Sequence, residues 1–212
     1  MPFGHGNHPL QTLSHDAYLA LHADATVLEY DLHGEKVLRL ADGNYLKLFR
    51  RKRLITSAAW YPYAQRFADN ALILKARAIL CPVVTATYRI PGIKRDAVLY
   101  APLEGKSLRQ IIRGGEDAPG LRTVLGRFVA RLHAAGIYFR SLHLGNIVLS
   151  SSGQPGLIDI ADLRARSGPL SPYLRRRNMQ QLHKNPDDHA WLCAAGSTEL
   201  DDAYRAADGP AQ

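Results

Sequence analysis

Only two cysteines occur in the 212 residues, Cys81 and Cys193, far apart and each in apolar surroundings. That excludes a disulfide-stapled scaffold, and both thiols read as buried and reduced. No Cys/His grouping has zinc-finger spacing, and His5, His8, His15, His22 and His33 are scattered rather than clustered. No apolar run approaches the ~20 residues that a membrane-spanning helix needs. The opening MPFGHGNHPL has neither a basic n-region nor an apolar h-region, so it does not read as a secretory signal, and cytoplasm is the expected compartment. Acidic residues are outnumbered, 19 against 27 Lys and Arg, for a net charge of +8. Such a balance favours anionic partners. Basic and aromatic residues are not interleaved as in RNA-binding motifs, which ranks nucleic acid last among those partners.

What is present is an ordinary globular composition, 46% hydrophobic and 22% charged, in one domain or two small lobes. Strand patterns begin at Thr26. Residues 26–30 and 36–40 flank a His33-Gly34 turn, and Asp42-Gly43-Asn44 turns the chain into a third strand, 45–49. Two more strands, 83–88 and 97–100, make a five-stranded antiparallel sheet, with one helix over 57–78. In the third strand Lys47 stands between Leu46 and Leu48, in register with Tyr45 and Phe49. A lysine inside an apolar strand is costly without an anionic partner, unless it lies on a half-solvated face. Ala101-Pro102-Leu103-Glu104-Gly105 punctuates a linker. Ser107 caps a short helix, 108–113. Leu121, Val124, Leu125, Phe128, Val129 and Leu132 mark an amphipathic helix that ends near His133, which reads as an interface histidine, with Gly136 as its C-cap. Three further short helices are expected over 171–182, 187–193 and 198–207.

The chain is organised around 138–162, YFRSLHLGNIVLSSSGQPGLIDIAD. Two apolar runs, 147–149 and 156–158, read as a hairpin. Asn146 enters it and Asp159 leaves it on the same side. An amide oxygen and a carboxylate so placed offer a seat for Mg²⁺, since hard divalent cations take oxygen ligands.

Phe139-Arg140-Ser141-Leu142-His143-Leu144-Gly145-Asn146 followed by Asp159-Ile160-Ala161 resembles the catalytic loop and metal-binding Asp of the protein-kinase-like fold. The Leu-His-x-Gly-Asn form is similar to bacterial lipopolysaccharide core kinases and toluene-tolerance-type small phosphotransferases. The resemblance spans Thr26 to Asp162. It implies an α+β, two-lobed architecture: an extension over 1–24, a nucleotide-binding N-lobe over 25–103, a reduced helical C-lobe over 104–207 and a tail over 208–212. It implies ATP and Mg²⁺ as cofactors, with Lys47 and Gly34 at the phosphates, Asp69 as partner of Lys47 (57–78 holds no Glu), and Asn146 and Asp159 on the metal. Two residues depart from the pattern. Phe139 stands for the family's His, and Ser141 for its catalytic Asp. A missing general base typically costs 10²- to 10⁴-fold in rate. His143 is the first surrogate, as base or substrate ligand, and Asp162 the second; Arg140 would hold the neighbouring acidic segment or a phosphate. No Ala-Pro-Glu segment or large helical lobe for docking a peptide follows. The implied function is phosphorylation of a sugar hydroxyl on a lipopolysaccharide-related glycolipid. The basic runs Arg50-Arg51-Lys52-Arg53 and Arg175-Arg176-Arg177 would meet that anionic substrate or the inner-membrane surface. The alternative is a pseudokinase that binds nucleotide and regulates a partner.

Overall fold

The computed structural model describes residues 8–51 and 61–208. They form a mixed α+β protein with seven α-helices among the described residues. The chain divides into two compact units, Met1–Ala76 with Cys81–Leu103, and Arg77–Leu80 with Glu104–Gln212.

The first unit is built on a six-stranded sheet. Its strands are β1 (Leu10–Thr12), β2 (Thr26–Asp31), β3 (Gly34–Arg39), β4 (Tyr45–Arg50), β5 (Val83–Ile90) and β6 (Arg95–Ala101), in the order β1-β5-β6-β4-β3-β2. The expected five antiparallel strands are therefore six. The additional one, β1, pairs parallel to β5 from within the stretch expected to be an extension. At three residues, with two of them exposed, it carries no alternation that could announce it. Helix α1 (His15–His22) follows it, capped by Ser14, which accepts from the Ala17 N–H.

Strand alternation sorts β4 between two faces. Leu46 and Leu48 join Tyr18 of α1, Leu38, Leu40, Ile90 and Ala97 in one core. Tyr45, Lys47 and Phe49 fall on the other face, toward α2 (Tyr63–Ala76). There Phe49 meets Tyr63 and Phe67, and Phe67 packs on Tyr100 at 5.1 Å between ring centroids. Helix α2 begins directly after Pro62, within the expected 57–78 helix; residues 57–60 of that expectation lie outside the described set. Cys81 is half-buried, and burial pushes its thiol up to about 11.

The second unit holds α3 (Leu108–Arg113), α4 (Leu121–Ala134), α5 (Pro172–Leu182), α6 (Pro186–Leu192) and α7 (Glu199–Asp208). Ser107 caps α3 through a reciprocal pair with Gln110. Leu121, Leu125, Phe128, Val129 and Leu132 of α4 are buried, as their helical spacing predicts. Gly126 lets α4 and α7 approach closely: a Cβ there would lie 2.3 Å from the Leu200 carbonyl oxygen. His133 is fully buried between Tyr204 (Nδ1 to hydroxyl, 2.8 Å) and Asn178 (Nε2 to Oδ1, 3.3 Å). Burial depresses its pKa to about 4, so it is a neutral packing residue joining α4 to α5 and α7.

The small strands of this unit hold the loop of interest. β8 (Ile137–Phe139) pairs antiparallel with β11 (Leu163–Ala165). β9 (Ile147–Leu149) pairs with β7 (Lys106–Ser107) on one side and β10 (Pro155–Leu157) on the other. The β9–β10 hairpin is the one read from the two apolar runs. Among the described residues no helix is long and apolar enough to cross a membrane.

Candidate active site

The loop between β8 and β9 is held by its own backbone and by Asn146. The Asn146 N–H donates to the His143 carbonyl at 2.9 Å, and its side-chain Nδ2 donates to the Ser141 carbonyl at 3.0 Å. That use of the amide nitrogen leaves Oδ1, the atom a hard cation would take. The hairpin closes when the Ile158 N–H donates to the Asn146 carbonyl at 3.0 Å. The next residue, Asp159, takes a left-handed backbone (φ 54°), and a 3₁₀ turn over Ile160–Asp162 follows. Asn146 and Asp159 thus stand at the same end of the β9–β10 pair.

The 3₁₀ turn carries Asp162 back to the loop. The Ser141 hydroxyl donates to Asp162 Oδ2 at 2.5 Å. The other oxygen, Oδ1, is buried and has no hydrogen-bond partner. Burial raises the Asp162 pKa against the lowering effect of the Ser141 hydrogen bond; Asp159 adds to the rise and Arg140 opposes it. Arg140 itself is exposed and acts on Asp162 through space. His143 is half-buried with its Nδ1 lacking a partner. Burial first, and then the Arg109 guanidinium, hold its pKa below the ordinary imidazole value. A histidine kept neutral beside a cation is a poor site for a positive charge and a fair hydrogen-bonding group.

One anchor of the loop escapes any reading of the sequence. Asp188, in the first turn of α6, is buried at 2% exposure. It accepts from Arg109 Nε at 2.9 Å and Nη2 at 2.7 Å, and from the Leu144 N–H at 3.1 Å. A carboxylate 44 residues beyond Leu144 and 79 beyond Arg109 therefore fixes the middle of the loop. Gly145 leaves room for that arginine: a Cβ there would lie 2.9 Å from Arg109 Nη1.

The remaining expected residues fall as follows. Lys47 is buried in β4, its Nζ 5.9 Å from the Phe49 ring centroid. Asp69, its expected partner, is engaged by two neighbours. The Asp69 carboxylate accepts from Tyr61 at 2.5 Å and from Gln65 at 3.0 Å, beside its own helix, and the buried polar residue of α2 is Asn70. Gly34 opens β3 with φ 108°, in a turn tied down by Arg50 on the His33 ring and by Arg95 donating to the His33 carbonyl. Arg50 is exposed at the end of the sheet with its guanidinium on the His33 ring, and residues 52–53 lie outside the described set. In the second basic run, Arg175 is bound to Asp208 and donates to the Leu170 carbonyl, which leaves Arg176 and Arg177 exposed. A cavity of about 340 Å³ between β7, α3 and the β9–β10 turn is lined by Ile111, Glu116, Leu121 and Leu149 among others, and by none of the loop residues above.

No family model matches the chain. No curated protein matches it either. Among solved structures it is similar to three of WbdD. One is a co-crystal with the kinase inhibitor LY294002 (16% identity, TM-score 0.40, 63% of this chain and 30% of that one). One is the bifunctional kinase-methyltransferase WbdD (14%, 0.42, 77% and 45%). One is monomeric WbdD (14%, 0.45, 89% and 45%). The chain thus spans less than half the length of each of these structures.

Proposed function

We propose that the chain is a phosphotransferase of the protein-kinase-like type, using ATP with Mg²⁺ to phosphorylate an alcohol, with Asp162 taking the part of the absent catalytic aspartate. The observation that carries this reading is the Ser141–Asp162 pair. Ser141 occupies the position of the missing carboxylate, and it hydrogen-bonds a carboxylate that arrives from the 3₁₀ turn, with one buried oxygen still open to a donor. In this reading Asn146 Oδ1 and Asp159 hold the cation, and Lys47 contacts the phosphates. Bound Mg²⁺ neutralises phosphate charge, which is most of what phosphoryl transfer requires. Asp162 accepts the proton of the acceptor hydroxyl as its oxygen bonds to the γ-phosphorus and the bond to the β-phosphate oxygen breaks, leaving ADP. A carboxylate raised by burial is a better proton acceptor than a free one. Ser141 is a positioning residue, holding Oδ2 and leaving Oδ1 without a protein partner. The acceptor class is the sugar hydroxyl of an anionic glycolipid, met by the exposed Arg176 and Arg177.

The test is Mg²⁺-dependent release of ADP from ATP, with water as the default acceptor. Asp162→Asn is expected to lower the rate by about 10²- to 10⁴-fold, roughly 3 to 5.5 kcal/mol of barrier, while Ser141→Ala loses far less. A full rate in Asp162→Asn would overturn the assignment. Nucleotide binding with no turnover in any variant would support the second reading, a pseudokinase, which Ser141 itself favours.

A further inference from the structure

We propose that the end of α5 and the whole of α6 form a site for one borderline divalent transition cation, with Zn²⁺ the best fit, ligated by His183 Nδ1, His189 Nδ1 and Cys193 Sγ. The site is independent of the phosphotransferase reading and lies outside the residues assigned to it. His183 is the residue that ends α5, His189 lies in α6, and Cys193 ends α6. His189 and Cys193 are four apart, so one helical face carries both. The three donor atoms lie within 4.8 Å of one another.

Their spacing matches a coordination sphere. Zn–N bonds of about 2.0 Å and a Zn–S bond of about 2.3 Å set tetrahedral edges of roughly 3.3 Å for N···N and 3.6 Å for N···S. The Nδ1 atoms of His183 and His189 are 3.1 Å apart, and Cys193 Sγ is 3.8 Å from His189 Nδ1. The two imidazoles face each other through Nδ1 with their rings at 70°, and His189 turns that nitrogen toward the thiol. Two Nδ1 atoms this close hold at most one proton between them without repulsion, so the arrangement presents lone pairs. A donor set of two imidazoles and one thiolate selects Zn²⁺, Co²⁺ or Ni²⁺ over Mg²⁺ or Ca²⁺. Asp201, in the first turn of α7, acts electrostatically on His183 but does not belong to the group of donor atoms, so water would take the fourth position. Binding releases the Cys193 thiol proton to solvent. The spacing, five residues between the histidines and three before the cysteine, fits no zinc-finger pattern. A scan for such patterns passes over it. The expectation that Cys193 is buried is likewise corrected: it is exposed, and so accessible to a metal.

The placement suggests what the ion would do. His189 is adjacent in sequence to Asp188, the residue that holds Leu144. A metal that locks α6 to the end of α5 would stiffen the helix from which the candidate active-site loop is suspended.

The experiment is a Co²⁺ titration of the full chain, stripped with chelator and kept reduced with a phosphine. Saturation is expected at one Co²⁺ per chain, with a near-ultraviolet thiolate-to-cobalt charge-transfer band that one equivalent of Zn²⁺ abolishes. Cys193→Ser should lose the band; His183→Asn and His189→Asn should each weaken binding at least tenfold. Cys81→Ser and His22→Asn should leave it unchanged. All five variants change residues whose folding is checked by far-ultraviolet circular dichroism. Absence of the band in the wild-type chain, or its persistence in Cys193→Ser, would overturn the proposal.

Discussion

Removing the carboxylate of Asp188 should loosen the second unit more than any other single surface-remote change in the loop's surroundings. Asp188 is 2% exposed, and both of its oxygens are used. In Asp188→Ala the Leu144 N–H loses its acceptor, a cost of about 1–3 kcal/mol for a buried donor. The Arg109 guanidinium loses its counter-ion. Breaking a buried pair by deleting one partner costs about 3–5 kcal/mol. The Arg109 side chain keeps 24% exposure and recovers part of that through water, so the two effects together come to about 3–5 kcal/mol. Folded domains are stable by only about 5–15 kcal/mol. Urea unfolding followed by far-ultraviolet circular dichroism would show a lower midpoint, and thermal unfolding a Tm lower by roughly 6–20 °C. Asp188→Asn keeps an acceptor for Leu144 and should fall between the variant and the wild type. In Arg109→Met with Asp188→Leu, both charges go, and the loss should be smaller than the sum of the single changes. A Tm within a degree or two of wild type for Asp188→Ala, or strict additivity in the double variant, would refute this account of the loop.

Two further predictions concern packing. Gly126→Ala would drive a methyl into the Leu200 carbonyl, and should cost about 1–3 kcal/mol by urea unfolding, with α7 the first element to lose amide-exchange protection. His133 has a pKa near 4 when folded against an ordinary 6.5, so between those values the unfolded chain binds a proton that the folded chain does not. Its contribution is complete above pH 6.5 and is lost as pH falls toward 4, at up to about 1.4 kcal/mol per pH unit, or about 3 kcal/mol in all. In His133→Gln the urea midpoint should be lower at pH 7 but flatter between pH 6.5 and 4; an unchanged slope would contradict the assignment.

Much of the architecture was legible because local patterns and tertiary packing agree. The alternation Tyr45-Leu46-Lys47-Leu48-Phe49 predicts the two faces that β4 presents, and the spacing from Leu121 to Leu132 predicts the buried side of α4. The Asp42-Gly43-Asn44 turn, the Ser107 cap and the β9–β10 hairpin are short-range devices whose chemistry lies in adjacent residues. What was not legible depends on distant residues. β1 is three residues of a sheet edge with no apolar repeat. Asp69 stands out as the sole acid of its helix, but nothing in the local pattern announces that its carboxylate accepts from Tyr61 and Gln65. Asp162 was visible as a second candidate base, but only the turn after β10 brings it onto Ser141, 21 residues earlier. Asp188 carries no local signal for its partners 44 and 79 residues away, and the His183, His189 and Cys193 grouping arises from the bend between two helices. Arg50 and Arg175 each have a neighbour in the fold that a charge run does not announce, the His33 ring and Asp208.

The most direct test of the central claim is calorimetric titration of ATP in the presence and absence of Mg²⁺, on the wild-type chain, Asp159→Ala and Asp162→Asn. The account predicts Mg²⁺-dependent binding to the wild type, its loss in Asp159→Ala and its retention in Asp162→Asn, whose defect is in turnover. Absence of binding to the wild type, or equal binding to wild type and Asp159→Ala, would contradict it.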